Sequence, residues 1–296
     1  MKMKRRDFLK AVTAGVLLNG LDSFSLVFAK QLSLVFAKQP LSQSQSLSQA
    51  SFDSYIKDYL HKMQNFNRPH PEDIYLEKEL LPVLGSCVSR LKRLERTVGH
   101  GNFYLLSFDD GINIARNYSE VGEFTKEELD FLEQVFFTDS SVYGFIGDKP
   151  IDKLTFRINE KDVVKIPATG NYLYRGVPHG MYEKLKKQVG DKLYLTSGIR
   201  GVVKQFLLFL DKADSNRGNL SLASRSLAPP GYSFHGISDF DVGQIGYGVL
   251  NFTRSFTSTE VFRKLDNLEY ISLRYTKDNL KGVRFEPWHI KVYSRV

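Results

Sequence analysis

Cysteine is almost missing from this 296-residue chain: Cys87 stands alone, so no intramolecular disulfide can form. Small exported domains often depend on such cross-links, but a chain of about 250 residues buries enough apolar surface to fold without them. Cys87 shares a helical face with Val83, Val88 and Leu91, which predicts a core position. Long apolar runs are scarce as well. Past the first forty residues none reaches the length of about 20 needed to span a bilayer. A concentrated basic surface is the third absence. The formal charge is +8, but residues 1–40 hold seven Lys/Arg and two Asp, leaving 34 basic against 31 acidic groups for the remainder. That balance argues against a nucleic-acid footprint. The densest basic cluster, Arg90 to Arg96, falls in a helical pattern and reads as a solvated helix face.

The excess charge sits at the start. Lys4-Arg-Arg-Asp-Phe-Leu-Lys10 precedes the apolar run Ala11–Leu18 and then small residues, the pattern of a twin-arginine-type signal peptide. The segment Ser25–Gln31 recurs at Ser33–Gln39, which places cleavage after Ala29 or Ala37. Two copies cannot build a repeat fold. Residues 1–40 are therefore read as signal peptide and linker start. Residues 41–50, Ser/Gln-rich without charge or aromatic residue, read as a flexible linker. The expectation is an exported protein, periplasmic or in the cell envelope, with no stable membrane span once the signal is removed.

Residues 51–150 carry mostly helical patterns. Phe52, Tyr55, Ile56 and Tyr59 recur at helical spacing, and a second helix is predicted from Pro82 to Val98 with Gly99 and Gly101 ending it. A third begins at Thr125, where Thr125 and Glu128 make a capping box with Phe124 and Leu129 as its staple. Asp109-Asp-Gly111 reads as a turn. Strands are expected at Leu154–Ile158, Val163–Ile166, Asp191–Thr196, Phe240–Val242, Ile271–Tyr275 and Val283–Val292. Helices are expected at Met181–Val189, after Gly201, and from Phe252 to Leu268. Asn216–Pro230 reads as a long irregular stretch that rims a cleft. His61, His70, His100 and His179 lack ligand-like partners, His179 being the one expected nearest the cleft.

The chemistry-bearing residues lie late in the chain. Ser233-Phe-His-Gly-Ile-Ser-Asp-Phe-Asp241 is answered by Glu286-Pro-Trp-His289. Two histidines and one or two aspartates offer three ligands of the kind Zn²⁺ takes, leaving one coordination position open as in catalytic sites. Glu286 is three residues before His289, a separation that can leave its carboxylate beside a metal-activated water as general base. Singly these are weak signals. A His before aspartates is commonly a surface turn, and a His beside Trp is commonly packed in a core. Ser197-Gly-Ile-Arg200 and Gln205 upstream complete a more telling set.

The order Ser-Gly-x-Arg, Ser-x-His, Asp, Glu-Pro-Trp-His resembles that of the VanY-type zinc D-alanyl-D-alanine carboxypeptidases of the M15 peptidase family. The resemblance covers roughly the last 110 residues, the size of one compact domain. It implies zinc ligation by His235, an aspartate and His289, with Glu286 as catalytic base. Arg200 would hold the polarised carbonyl or the substrate's carboxylate. Ser233, Gln205 and Ser197 fall in the substrate site, joined by Trp288, although packing alone accounts for Trp288 as it does for Tyr275. One spacing departs from the family: six residues usually separate the first His from the ligand Asp, and here that count reaches Val242. Asp241, one short, is favoured because Phe240 and Val242 flank it on a buried strand. Asp239, three short, is then a loop carboxylate or a partner for a ligand histidine.

The implied architecture is α+β, a small antiparallel sheet with flanking helices (the M15/Hedgehog-like zinc peptidase fold) in residues 151–296, preceded by a helical extension in 51–150. The implied activity is zinc-dependent removal of the terminal D-alanine of peptidoglycan stem peptides. Related folds cut the L-D bond before a terminal D-Ala or the D-Ala-D-Ala dipeptide. A non-catalytic peptidoglycan-binding protein is the rival from another class, and the shortened His-to-Asp spacing is its support.

Overall fold

Helix starts early in the described part of the chain. The computed structural model describes residues 49–293, with side chains from Ile56 onward; the residues read as signal peptide and most of those read as linker lie outside the described residues. Helix α1 spans Gln49–Gln64, so helix takes up the last two residues read as linker. Helix α2 (Leu81–Val98) opens with a proline in its first turn, where the missing N–H costs no hydrogen bond, and buries Leu84, Cys87, Val88, Leu91 and Leu94 along one stripe. Cys87 is fully buried, and burial pushes its thiol well above the usual range.

The basic face of α2 is not simply solvated. Arg90 Nε sits 2.8 Å from Glu128 Oε2, and Glu128 is buried. Arg93 donates to Val121 O at 3.0 Å. Glu128 belongs to helix α5 (Lys126–Phe137), where the capping box with Thr125 is present. Between them, α4 (Phe108–Asn117) follows the single turn α3 (His100–Phe103). Asp109-Asp-Gly111 is the first turn of α4 rather than a free turn, because Ser107 caps the helix by accepting from Asp110 N. A Cβ on Gly111 would stand 3.3 Å from Leu94, which explains the glycine inside this helix.

The strands are shorter than the apolar runs suggested. β1 (Val163–Lys165) and β2 (Tyr172–Tyr174) form an antiparallel pair. Helix α6 (Val177–Val189) leads to β3 (Leu193–Ser197), which joins β4 (Phe240–Gln244) and β5 (His289–Ile290) in a three-stranded antiparallel sheet, order β3-β4-β5. Residues 154–158 form no strand. Leu154 and Ile158 are buried without one, so packing and not a ladder accounts for their apolarity. Likewise 271–275 contributes one bridge, Leu273 to Ile290, and only two residues of 283–292 pair as strand.

Helix α7 (Val202–Asp214) is buried along most of its length and packs on α2. The supposedly irregular 216–230 stretch contains helix α8 (Leu220–Ser224), capped by Asn219 and buried throughout. The expected helix at 252–268 is broken: a 3₁₀ segment at Arg254–Ser258 stops at Thr259, whose side chain caps α9 (Glu260–Asp266). The architecture is thus α+β. One core cluster joins Leu193, Leu195, Phe240, Val242 and Ile290 of the sheet to Tyr182, Leu185 and Val189 of α6 and Val261 and Leu265 of α9. The helical segment and the sheet belong to one compact unit.

Candidate active site

Strand parity sets the site. In the β4–β5 pair Phe240 faces Ile290, both fully buried in the core, and Asp241 faces His289 one position on. Alternation along the strand then turns the Asp241 and His289 side chains to the opposite face. A register irregularity between Leu195 and Ser197 ends β3 beside them, pairing Ser197 with Asp241. The third group comes from a 3₁₀ turn, Phe234–Gly236, whose His235 is completely buried.

These three residues converge. One ligand atom from each of His235, Asp241 and His289 lies within 4.8 Å of the others. His235 Nε2 is 3.2 Å from Asp241 Oδ1, and His289 Nδ1 is 3.5 Å from the same oxygen. Each imidazole is fixed through its other nitrogen. His235 Nδ1 meets Gly198 O at 2.7 Å, and His289 Nε2 meets Asp239 Oδ2 at 3.1 Å. Such outer contacts set which ring nitrogen faces a ligand. Asp239 is itself held by Arg274 Nε and Nη2, at 2.6 and 3.0 Å, and by Val292 N at 2.9 Å. The structure therefore puts Asp241 inside the cluster and Asp239 behind the His289 ring.

Electrostatics follow from burial and charge. Desolvation, reinforced by Arg200, pulls the His235 pKa down despite Asp241. Burial also opposes charge on His289, but hydrogen bonds to Asp239 and Glu286 override it and raise that pKa to about 9. Asp241 drops to about 2 because its burial is outweighed by His235, His289 and Arg200. These carboxylates favour the cationic, doubly protonated His289 ring. A metal ion binding at Nδ1 would have to displace the proton there.

The residues fit a divalent cation. Asp241 Oδ1 and His235 Nε2 are buried, 3.2 Å apart, and lack any other hydrogen-bond partner. Buried polar atoms without partners are rare in native proteins. Two imidazole nitrogens and a carboxylate oxygen aimed at one point are the donor set of a catalytic zinc site. Glu286 Oε2 is 3.2 Å from His289 Nδ1, at the border of this cluster.

The cluster forms one wall of a cavity of about 310 Å³. Ser197, Arg200, Ser233, Tyr275, Glu286 and Trp288 line it with the three cluster residues. Arg200 Nη2 lies 3.5 Å from Asp241 Oδ2. Two expected residues fall elsewhere. Gln205 does not line the cavity; it is buried in α7 and its amide donates to Ala228 O, so it braces the wall that Ser226, Leu227 and Ala228 present. His179 is also absent from the lining and sits 3.7 Å from Glu183 on α6. Tyr104 and Lys204 complete the cavity from the other side, together with Arg284. Nothing in sequence marked Tyr104, which is distant from every motif, and Lys204 was passed over although it stands directly before Gln205. Arg284 stands two residues before Glu286, and that proximity was its only signal.

The α+β unit thus brings a buried His-Asp-His cluster and a neighbouring carboxylate to one cavity wall. Residues 179–294 match the family model VanY, D-alanyl-D-alanine carboxypeptidase. Every residue of the cluster lies inside that match, and residues before 179 lie outside it. No curated protein matches the chain. Among solved structures, a similar chain is the LdcB LD-carboxypeptidase, in a structure described as revealing the molecular basis of peptidoglycan recognition. Its identity to this chain is 24%, with 50% of this chain and 66% of that chain covered and a TM-score of 0.34. The likeness thus spans a little under two thirds of that protein's length. No helix among the described residues is long and apolar enough to cross a membrane.

Proposed function

We propose that this protein is a zinc-dependent carboxypeptidase of the cell envelope that releases the terminal D-alanine of peptidoglycan stem peptides. The observation carrying this reading is the convergence of His235, Asp241 and His289 within 4.8 Å, inside a stretch that matches a carboxypeptidase family. These three residues would hold the ion. Zinc, when bound, supplies Lewis-acid chemistry, lowering the pKa of a water and polarising a carbonyl.

The remaining roles fall to the chain's own groups. Glu286, at the cavity wall beside His289, takes a proton from the attacking water and passes it to the leaving amine. Arg200, on the other oxygen of Asp241, puts positive charge where the carbonyl oxygen becomes anionic. Gly198 O and Asp239 hold the imidazoles in one orientation. Ser197 and Ser233 bring hydroxyls to the same cavity, where they can bond the substrate backbone. The twin-arginine-type leader read in residues 1–40 supports export to the envelope.

Glu286→Gln tests the assignment. The variant is expected to keep about one equivalent of zinc while hydrolysis falls by orders of magnitude, because only the base is removed. Near-normal hydrolysis by that variant excludes the role. Weighing the products from purified muropeptides identifies the bond: loss of a single alanine from a pentapeptide stem is the expected result. Loss of alanine only from a tetrapeptide stem would assign LD-carboxypeptidase activity instead.

A further inference from the structure

Arg274 stands outside every motif and does not line the cavity, yet it touches the surroundings of all three cluster residues. Its Nε and Nη2 hold the two oxygens of Asp239, two residues before Asp241. Its guanidinium lies 3.5 Å from the centre of the Phe234 ring, the residue immediately before His235. Its backbone N–H donates to His289 O at 3.1 Å. The segment carrying it runs alongside β5. Lys291 N donates to Ser272 O at 2.8 Å, Leu273 bridges Ile290, and Glu286 N donates to Tyr275 O at 3.0 Å. The Arg274 side chain is 7% exposed and that of Asp239 is fully buried.

A buried ion pair contributes little net stability over an apolar pair of similar volume, because both charges lose their water. What an arginine fork does supply is direction: it is planar, makes two parallel bonds to a carboxylate and stacks on a ring. Here those contacts lead to three elements, the 3₁₀ turn of His235, the approach to β4, and β5. Asp241 and His289 are already registered to each other by the β4–β5 ladder. His235 is not on the sheet, and the Phe234 stack links its turn to Asp239 and to β5. We propose that Arg274 is a positioning residue for the metal cluster: through Asp239 it fixes the His289 ring, and through Phe234 it holds the turn of His235 against it. This deepens the zinc reading and rests on it.

The test uses the full chain as wild type, Arg274→Lys, Arg274→Gln, Asp239→Asn and the double variant Asp239→Asn with Arg274→Lys. Glu128→Ala serves as a variant destabilised at a residue that does not line the cavity. Three quantities are read: zinc affinity by chelator competition, the visible absorption of the Co²⁺-substituted protein, which reports ligand number and geometry, and thermal denaturation. Arg274→Lys keeps the charge and loses the fork. It is expected to fold, to lose about ten- to hundredfold in zinc affinity, and to give an altered Co²⁺ band. Arg274→Gln should lose at least as much, and the Lys variant carries the comparison if it does not fold. Part of the effect runs through Asp239, so Arg274→Lys should cost less in the Asp239→Asn background than in wild type. Glu128→Ala should melt lower with wild-type zinc affinity and Co²⁺ band. If Arg274→Lys behaves as Glu128→Ala does, the arginine serves stability alone and the proposal is overturned. Full additivity of Arg274→Lys and Asp239→Asn overturns it as well. A wild type that takes up neither Zn²⁺ nor Co²⁺ sinks the zinc reading and this inference together, whereas wild-type uptake matched by Arg274→Lys sinks the inference alone.

Discussion

Asp241 and His289 face each other directly across the β4–β5 pair, with Asp241 Oδ1 3.5 Å from His289 Nδ1. Their meeting depends on backbone register, since a slip of one residue would turn one of them into the core beside Phe240 or Ile290. Two strand residues in β5 are enough to fix it. The sheet is thus small, but it carries the part of the site that tolerates least movement.

Asp241 and Asp239 should separate cleanly on substitution. Asp241→Ala removes an oxygen from the cluster itself, and bound zinc is expected to fall well below one equivalent. Asp239→Asn leaves the cluster atoms in place but replaces the carboxylate that orients His289 Nε2. A loss of about ten- to hundredfold in zinc affinity is expected there, with the metal still bound at saturation. Chelator competition followed by metal analysis distinguishes the two. Retention of full zinc by Asp241→Ala would show that the shortened spacing has moved the ligand to another residue. Removing zinc from wild type with a chelator should abolish hydrolysis, and adding it back should restore hydrolysis.

The site was more legible in the sequence than the fold around it, and the reasons are physical. Motif residues are read from their chemistry, so His235, Asp241, Glu286 and His289 stood out although 54 positions separate the first from the last. Asp241 was favoured over Asp239 because apolar neighbours on both sides imply a buried strand, and that strand exists. Apolar runs were poorer guides. Leu154, Phe156 and Ile158, like Ile271–Tyr275, are buried or half-buried against neighbours without making strands, and periodicity cannot tell packing from pairing. Gln205 illustrates a further limit. Its position on α7 follows from the pattern, but which way a buried helix turns a polar side chain depends on Ala228, a residue of another segment. Arg274 went unread because a cation outside the motifs is ordinary until its partners are known.

Gly198 is expected to be as sensitive as the three cluster residues themselves. A Cβ there would lie 2.0 Å from Tyr172 O, a backbone atom that cannot step aside, because Ile199 N donates to the same oxygen at 2.8 Å. Gly198 O is also the acceptor for His235 Nδ1. Gly198→Ala should therefore destabilise the protein by about 1–3 kcal/mol or more through overpacking and lower zinc affinity at the same time. Thermal denaturation with and without zinc reads both effects. A variant with wild-type melting temperature and zinc content would show that the β2–β3 contact gives way freely.

The helical segment before the family-matched residues 179–294 should respond to acid through Glu128. Its carboxylate accepts from Arg90 Nε at 2.8 Å, Ser86 Oγ at 2.5 Å and Thr125 N at 2.9 Å, closing the α5 cap and tying α5 to α2. Burial opposes its charge, but those hydrogen bonds and Arg90 outweigh burial and hold its pKa below the ordinary 4.5. A carboxylate depressed in the folded state stabilises above its unfolded pKa and loses that contribution as pH falls through its folded value. Stability from this group should therefore be fully present at neutral pH and decline only below about pH 4.5. Glu128→Ala leaves Arg90 inside without its partner, at a cost of about 3–5 kcal/mol at pH 7. Denaturant titrations at pH 7 and at pH 3.5 check this: the gap between wild type and Glu128→Ala should be large at the first and smaller at the second. A gap independent of pH would mean that packing of the side chain, and not its charge, is what α2 and α5 share.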